Sequence, residues 1–229
     1  GMSKGTAVVL LSGGLDSVTV LARAVADGYA VRTLSFSYGQ AHTPGLVRAR
    51  ELSARFGALD HFEIALDPRP FRASALTGQG GIPENRSGHE MAAGIAPTYV
   101  PARNTIFLSY ALAFGEEYGI RHVFIGVNSV DYSGYPDCRP EFIAAFGRLA
   151  NLGTSAADGG EPFVIHAPLQ NMGKAEIITM GMALGVDYSL TVSCYQADAA
   201  GLACGRCDAC LLRREGFRLA GVADPTRYR

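Results

Sequence analysis

The stretch Ala7-Val8-Val9-Leu10-Leu11-Ser12-Gly13-Gly14-Leu15-Asp16-Ser17 joins an apolar run to a turn of small and polar residues. The run Ala7–Leu11 predicts a strand buried on both faces, as the strands of a parallel sheet are. Beyond the turn, Val18 to Asp27 has the character of a helix that Gly28 ends. Free backbone N–H groups and the positive end of a helix meet at such a turn and attract anions. The stretch therefore predicts an α/β fold with a phosphate site after its first strand.

Strand and helix signals alternate along the rest of the chain. The further predicted strands are Ala30–Phe36, His61–Ala65, His122–Gly126 and Phe163–His166. The further predicted helices open at Thr43-Pro44 and end at Gly57, cover Asn104–Tyr118, and begin at Pro140. This alternation predicts a doubly wound, mainly parallel sheet. We expect one α/β domain over residues 2–190 and a small cysteine-rich subdomain over residues 191–229.

Residues 67–101 interrupt the alternation. They are rich in Gly and Pro and have no hydrophobic period. Unstructured loops of this length are uncommon inside compact domains and are usually functional or mobile. We interpret the segment as a lid.

The composition is that of a globular protein, with 48% apolar and 18% charged residues. A net charge of -1 and a pI near 6.6 provide no long-range attraction to nucleic acid or to an anionic membrane. No apolar run approaches the ~18 residues of a membrane span, and the first one is too short for a secretory signal. We expect a cytoplasmic protein with small-molecule partners, without nucleic acid or membrane.

The turn Ser12–Ser17 carries groups suited to a nucleotide. Gly13 and Gly14 let the backbone approach an oxyanion, and the hydroxyls of Ser12 and Ser17 can donate to phosphate oxygens. Asp16 repels a bare phosphate, so its presence predicts Mg²⁺ or a hydrogen-bonding task. The alternative is a polar turn that only caps a helix. The pattern is neither the Walker phosphate loop nor the dinucleotide fingerprint, which disfavours standard kinases and dehydrogenases.

Four of the five cysteines, Cys194, Cys204, Cys207 and Cys210, form a C-x9-C-x2-C-x2-C pattern. Four thiolates close a tetrahedral zinc shell without an open position, so we predict structural Zn²⁺. A structural zinc supplies ~10–16 kcal/mol, more than the ~2–4 kcal/mol of a disulfide, and a reducing compartment favours metal. An iron–sulfur cluster and a redox pair are the alternatives.

The turn resembles the signature of the ATP pyrophosphatase, or pyrophosphate-loop, family, whose members cleave ATP at the α-phosphate. The resemblance implies an adenine-nucleotide α-hydrolase-like fold. The implied ATP-binding residues are Leu11, Ser12, Gly13, Gly14, Leu15, Asp16, Ser17, Val18 and Lys174. Lys174 taken alone is equally well an exposed lysine in the first turn of a helix. In this family a lysine at such a position contacts phosphate, so Asp16 and Lys174 are the candidate catalytic residues.

Nearly the whole chain resembles the 7-cyano-7-deazaguanine synthase family, the nitrile-forming enzymes of queuosine-precursor synthesis. Besides the turn and the cysteines, the resemblance rests on Tyr38-Gly39-Gln40 with His42, on Tyr99–Asn104 and on Asp131–Phe142. It implies that 7-carboxy-7-deazaguanine and ammonia are joined with ATP and Mg²⁺, through an adenylated acid and an amide, by an ATP-dependent ligase. The implied substrate-binding residues are Arg103, Asn104, Tyr132, Tyr135, Asp137 and Arg139. We expect a homodimer.

The sequence departs from the family pattern at Ala41, near Gly45 and at Ala102, so a paralogue that acts on another acid stays open. A second alternative is a pyrophosphate-loop tRNA sulfur transferase, which needs a nucleophilic cysteine and a basic RNA surface. Cys138 is the only spare thiol, next to Arg139. A third is a zinc-stabilised nucleotide-binding module without turnover.

Overall fold

The computed structural model describes residues 3–40, 43–77, 81–130 and 132–229. It contains one five-stranded sheet in the order β3-β2-β1-β4-β5, with all neighbouring strands parallel. The strands are β1 Thr6–Leu10, β2 Ala30–Ser37, β3 Asp60–Ala65, β4 His122–Phe124 and β5 Val164–His166. The predicted parallel sheet is confirmed. Its order reverses between β1 and β4, and ligands of open α/β sheets bind in the crevice at such a point.

Helices cover both faces of the sheet. They are α1 Leu15–Ala26, α2 Pro44–Arg55, α3 Gly88–Met91, α4 Arg103–Tyr118, α5 Pro140–Leu152, α6 Lys174–Ala183 and α7 Asp208–Ala220. Successive residues of β1 point to opposite faces: Val9 packs into a core shared with α1, α2, α6 and α7. Val8 packs into a second core with α4 and α5. The chain is therefore doubly wound, as the alternation predicts.

Helix α1 begins at Leu15, three residues before the predicted start at Val18. Gly14, with φ -86° and ψ 174°, is the N-cap residue, and the side chains of Leu15 and Ser17 are buried against the sheet. Asp16 and Ser17 therefore belong to the first turn of the helix. The anion-attracting end of α1 lies directly at Gly14.

The described parts of the segment 67–101, residues 67–77 and 81–101, are packed rather than unstructured. The segment contains two short 3-10 helices, Arg69–Phe71 and Ala75–Thr77, as well as α3. Its residues contact the cysteine-rich region: Glu84 forms an isolated bridge with Cys207, and the amide of Asn85 donates to the carbonyl oxygen of Arg206. Its role as a lid stays a prediction. Ala41, His42 and Asp131, which the sequence analysis singled out, lie outside the described residues.

The C-terminal residues pack onto the α/β body through α7. Phe217 of α7 is buried in the core beneath α1, where its ring lies 5.8 Å from that of Tyr188. No helix in the described ranges is both long and apolar enough to span a bilayer.

Candidate functional site

A cleft of about 650 Å³ opens at the carboxyl ends of β1 and β4. The N-termini of α1, α4 and α6 and the segment around Ser193 line it. Among the described lining residues are three cationic side chains, Arg103, Lys174 and Arg213, and one carboxylate, Asp16. A low-dielectric cleft with this excess of positive charge favours an anionic ligand.

The backbone of the turn is fixed by a close approach between two glycines. Gly13 has φ +83°, a conformation that favours glycine, and a Cβ there would overlap the carbonyl group of Gly45. A Cβ on Gly45 would in turn lie 2.8 Å from the carbonyl oxygen of Ser12. A side chain at position 45, one of the departures noted above, would therefore require the backbone of the turn to shift.

The N-terminal amides of α1 face the cleft at Gly14. The first intrahelical hydrogen bond runs from the amide of Val18 to the carbonyl oxygen of Gly14, at 3.2 Å. The amides of Asp16 and Ser17 precede that bond and are those that a helix leaves to an external acceptor. A phosphate at this helix end therefore meets hydrogen-bond donors and a positive dipole.

Serine hydroxyls hold the turn together. The amide of Ser12 donates to Ser17 Oγ at 3.0 Å, the two hydroxyl oxygens lie 3.0 Å apart, and the amide of Gly14 donates to Ser12 Oγ at 3.3 Å. The predicted ATP residues that line the cleft are Leu11, Ser12, Gly14, Leu15, Asp16, Ser17 and Lys174. Gly13 and Val18 are buried beneath them, Val18 within the core.

Asp16 and Lys174, far apart in sequence, form an ion pair of 2.7 Å between Oδ1 and Nζ. Their side chains are 29% and 19% exposed, so the pair is accessible from the cleft. The carboxylate lies favourably at the N-terminus of α1, whereas the ammonium group lies at the N-terminus of α6, where the helix dipole disfavours a cation. Lys174 thus benefits from any further anion that enters the cleft.

Part of the cleft lining is an aromatic wall formed by Tyr132, Tyr135 and Tyr195. Tyr132 and Tyr135 have ring centroids 5.2 Å apart, with their planes at 80°. Tyr135 donates its hydroxyl to Tyr195 at 2.8 Å, and burial raises the pKa of both phenols, which are therefore neutral. Arg103 lies beside these rings and donates from Nη1 to the hydroxyl of Tyr38 at 3.0 Å. Aromatic faces and a guanidinium group together suit a flat ring that carries a carboxylate.

Asp137 and Arg139 lie outside the lining of this cleft. Buried Asp137 accepts the amide of Asn104 at 3.0 Å with Oδ2, while Asn104 Nδ2 donates to the backbone oxygen of Asp137 at 2.9 Å. Arg139 donates to the backbone oxygen of Ser133 at 3.1 Å. Of the predicted substrate residues, the structure therefore brings four into the cleft: Arg103, Asn104, Tyr132 and Tyr135.

Helix α4, which carries Arg103 and Asn104, begins from a strained residue. Ala102 has φ +56° and ψ 19°, the left-handed conformation, at the N-cap position. An L-residue other than glycine pays about 1–2 kcal/mol for this conformation. Ala102 thus holds the start of α4 in a conformation that glycine would adopt without this cost.

Ser193, Tyr195 and Arg213 are cleft residues that the sequence analysis missed. Ser193 accepts the amide of Leu15 at 3.2 Å, and Arg213 donates to Ser193 at 2.9 Å. No local pattern marks them, because they reach the turn only through long-range contacts. The one available signal is that Ser193 and Tyr195 flank Cys194.

The four cysteines of the C-x9-C-x2-C-x2-C pattern converge, with all sulfur atoms within 4.8 Å of one another. Sulfur atoms of a tetrahedral zinc site lie about 3.8 Å apart, given a Zn–S distance of about 2.3 Å. The pairs Cys194–Cys207 and Cys204–Cys210 have separations of 3.9 and 4.0 Å. These distances exceed an S–S bond and fit a metal centre.

Backbone amides around the cluster stabilise thiolates. Cys194 Sγ accepts the amides of Gln196 and Cys204 at 3.4 and 3.3 Å, and Cys204 Sγ accepts those of Arg206 and Cys207, both at 3.2 Å. Metal-bound sulfur is thiolate, so the donor set fits a divalent metal ion.

Cys138, the fifth cysteine, does not have the environment of a nucleophile. The thiol is buried, and burial together with the charge of Asp137 raises its pKa to about 12. A thiol with this pKa carries negligible thiolate near neutral pH. The sulfur-transfer alternative, which needs this cysteine, is therefore not favoured.

The family model described as "Queuosine biosynthesis protein QueC" matches residues 6–221. A 7-cyano-7-deazaguanine synthase of Thiobacillus denitrificans is 60% identical over 226 residues, covering 98% of this chain and 99% of that protein. The synthase of Pseudomonas savastanoi pv. phaseolicola is 58% identical, covering 97% and 95% respectively. Among solved structures, NMN synthetase from Francisella tularensis has a TM-score of 0.49 at 19% identity, covering 97% of this chain and 79% of that one. The chain belongs to the QueC family of queuosine biosynthesis proteins.

Proposed function

We propose that this chain is an ATP-dependent 7-cyano-7-deazaguanine synthase, a ligase that joins 7-carboxy-7-deazaguanine and ammonia. The observation that carries the proposal is that one cleft is lined both by the turn Ser12–Ser17 and by Tyr132, Tyr135 and Arg103. An enzyme that transfers adenylate to a ring carboxylate needs both ligands side by side, because reacting atoms must approach within about 3–3.5 Å.

The β- and γ-phosphates of ATP occupy the turn, where the amides of Asp16 and Ser17 and the ammonium group of Lys174 neutralise their charge. Mg²⁺ fits this end, since one carboxylate plus phosphate oxygens is a set that it commonly takes. Asp16 would hold the ion, which supplies further neutralisation of the leaving pyrophosphate. The α-phosphorus then faces the aromatic wall.

The deazaguanine acid binds against Tyr132 and Tyr135, and Arg103 holds its carboxylate. Arg103 is preferred to Arg139 because Arg103 lines the cleft, whereas Arg139 is directed to the backbone of Ser133. Asp137 acts indirectly in this account, since its carboxylate holds the amide of Asn104 at the start of α4.

The chemistry follows from the leaving groups. A carboxylate oxygen leaves poorly until it is adenylated, so the acid first attacks the α-phosphorus of ATP and releases pyrophosphate. Ammonia then displaces AMP and forms the primary amide. The amide oxygen is adenylated by a second ATP, and loss of AMP with a proton gives the nitrile. Both oxygens of the acid leave in AMP. Arg103 binds the carboxylate of the acid, and Lys174 binds the phosphates of ATP in both adenylations.

The cysteine cluster holds a structural Zn²⁺ in this proposal, because four thiolates leave no open coordination position. The predicted boundary at residues 190 and 191 would separate the ATP-binding part from the zinc-binding part. The partners proposed are ATP, the acid and ammonia, and the assembly proposed is a homodimer.

The experiment is incubation of zinc-loaded protein with 7-carboxy-7-deazaguanine, ATP, Mg²⁺ and ammonium, with products followed by mass spectrometry. The expected result is transient amide followed by nitrile. Omission of ammonium should leave the acid unconverted to either product. Absence of amide and nitrile from the complete mixture, with folded protein and bound zinc, would remove the proposed activity.

A further inference from the structure

The segment that leads into the cysteine cluster contacts the phosphate turn directly. The amide of Val192 donates to the carbonyl oxygen of Gly13 at 2.9 Å, and the amide of Leu15 donates to Ser193 Oγ at 3.2 Å. A Cβ on Gly14 would lie 3.8 Å from Ser193 Oγ, and Ser193 lines the cleft. The Ser193 hydroxyl is therefore part of the rim of the turn.

The hydrogen-bond partners of Ser193 determine whether its hydroxyl can donate or accept a further hydrogen bond. A serine hydroxyl has one hydrogen and two acceptor lone pairs. Within the described parts of the chain its oxygen has two partners, the amide of Leu15 and the guanidinium group of Arg213, and both are donors. The lone pairs are thus occupied, and the hydroxyl hydrogen is left for an acceptor in the cleft.

Arg213 strengthens this donor. Its side chain is buried, and among the residues that the structure describes it donates to neutral oxygens: those of Thr191, Ser193, Thr226 and the backbone of Tyr188. A hydrogen bond from a cation polarises the hydroxyl that accepts it, which makes that hydroxyl a better donor. Only the hydroxyl of Ser193 separates the positive charge of Arg213 from the expected position of the phosphates.

We propose that Ser193 is a phosphate-binding residue of the ATP site, which donates its hydroxyl to the triphosphate, and that Arg213 is the positioning residue behind it. The inference rests on the proposed function only in that ATP occupies the turn. It assigns part of the nucleotide site to the segment that precedes Cys194. The same segment thus holds both the metal and a phosphate.

The test measures binding of magnesium α,β-methylene-ATP, which cannot be cleaved at the α-phosphate, to zinc-loaded protein by calorimetry without the deazaguanine acid. Ser193→Ala should weaken this binding about tenfold or more, the usual effect of losing a hydrogen bond to a charged group. Ser193→Thr, which keeps a hydroxyl, should bind within about threefold of wild type. Adenosine, which has no phosphate, should bind both variants as it binds wild type.

The matched control is Thr191→Val. The hydroxyl of Thr191 also accepts a hydrogen bond from Arg213 Nη1, at 2.9 Å, but Thr191 does not line the cleft. The substitution should leave binding of the analogue nearly unchanged. Equal loss in Thr191→Val and Ser193→Ala, equal loss of adenosine and analogue, or unchanged binding in Ser193→Ala would each overturn the inference. Wild-type protein that does not bind the analogue would overturn the proposed function as well. Ser193→Gly provides a second hydroxyl-free variant if Ser193→Ala is insoluble.

Discussion

The two arginines that the sequence predicts as substrate-binding residues have different environments. Arg103 lies in the cleft beside Tyr38 and Tyr135, and Arg139 lies outside its lining. A guanidinium group is always charged near neutral pH and binds carboxylates in a bidentate manner. In the described ranges, the hydrogen bond from Arg103 goes to the hydroxyl of Tyr38 and not to a carboxylate. Arg103 is thus the side chain available to a substrate carboxylate.

Arg103→Met should reduce kcat/KM for the deazaguanine acid about 10- to 100-fold, because a charge-assisted hydrogen bond is lost. The KM for ATP should change little. Arg139→Met is the matched control and should leave both parameters within about twofold. Steady-state kinetics with each substrate varied checks the prediction, and equal losses in the two variants would contradict the assignment of Arg103.

Asp16→Asn should leave the protein folded and zinc-loaded but lower kcat by about 100-fold, the scale of losing one electrostatic group at a reacting centre. The change removes the carboxylate charge of Asp16, which pairs with Lys174 and which we propose as a ligand of Mg²⁺. Ser12→Ala, which removes a hydroxyl of the same turn, should have a smaller effect. Turnover near wild type in folded Asp16→Asn would exclude Asp16 from the mechanism.

What the sequence predicts at this scale depends on how local the pattern is. The turn residues lie next to one another in sequence and the four cysteines lie within 17 residues, so the sequence predicts that each group comes together. Ser193 reaches Leu15 across 178 residues of sequence, and no local pattern reveals such a contact. Asp137 looks like a ligand in sequence, yet its carboxylate holds the amide of Asn104, because a buried carboxylate needs donors and the start of α4 provides one.

Gly216 of helix α7 packs against Lys174 of helix α6. A Cβ on Gly216 would overlap Lys174 Cγ and lie 3.0 Å from both Lys174 Cβ and Ile178 Cδ1. The absence of a side chain at this position lets the aliphatic stem of Lys174 pass between the two helices. The contact between α6 and α7 therefore determines the direction of the ammonium group toward Asp16.

Gly216→Ala should destabilise the protein by about 1–3 kcal/mol through overpacking and should raise the KM for ATP as Lys174 is displaced. The matched control is Gly147→Ala in α5, where a Cβ meets nothing within 4 Å. That change should stabilise by about 0.5–1 kcal/mol, as alanine does in a helix interior. Urea unfolding checks both, and equal effects on stability in the two variants would contradict the packing argument.

Element positions were predictable where periodicity or composition is strong. The strands and the long helices follow the apolar pattern. For α1 this pattern predicts a start at Val18, three residues later than the observed start at Leu15. The Ser-Gly-Gly signal reads as a turn, but tertiary packing of Leu15 and Ser17 against the sheet extends the helix to Gly14. The segment 67–101 lacks periodicity because its buried apolar residues, which include Phe71, Ala75, Met91, Ala96 and Val100, are irregularly spaced.

The cysteine cluster connects distant parts of the whole molecule. Asp208, which is buried next to Cys207, forms an ion pair with Arg86 of the segment 67–101. Its carboxylate also accepts a hydrogen bond from the hydroxyl of Tyr132 at 3.0 Å. Glu84 bridges to Cys207. The cluster therefore supports one side of the cleft wall. Loss of the metal should loosen both the segment and the aromatic wall.

Purified protein should contain one zinc ion per chain, and Cys194→Ala should lose it, together with several degrees of Tm and much of the soluble yield. The matched control is Cys138→Ala, which removes the cysteine outside the cluster and should retain stoichiometric zinc. Elemental analysis checks both. Iron with sulfide, or four cysteines oxidised without metal, would contradict the zinc assignment.

The central claim concerns the whole catalytic cleft: that it transfers adenylate to oxygen twice. The most direct measurement supplies synthetic 7-carboxamido-7-deazaguanine with ATP and Mg²⁺, without ammonium, and follows the phosphorus products by NMR. A turn that grips the β- and γ-phosphates as a leaving unit exposes the α-phosphorus. The account predicts nitrile with AMP and pyrophosphate in equal amounts. Nitrile formed with ADP and phosphate as the only nucleotide products would contradict it.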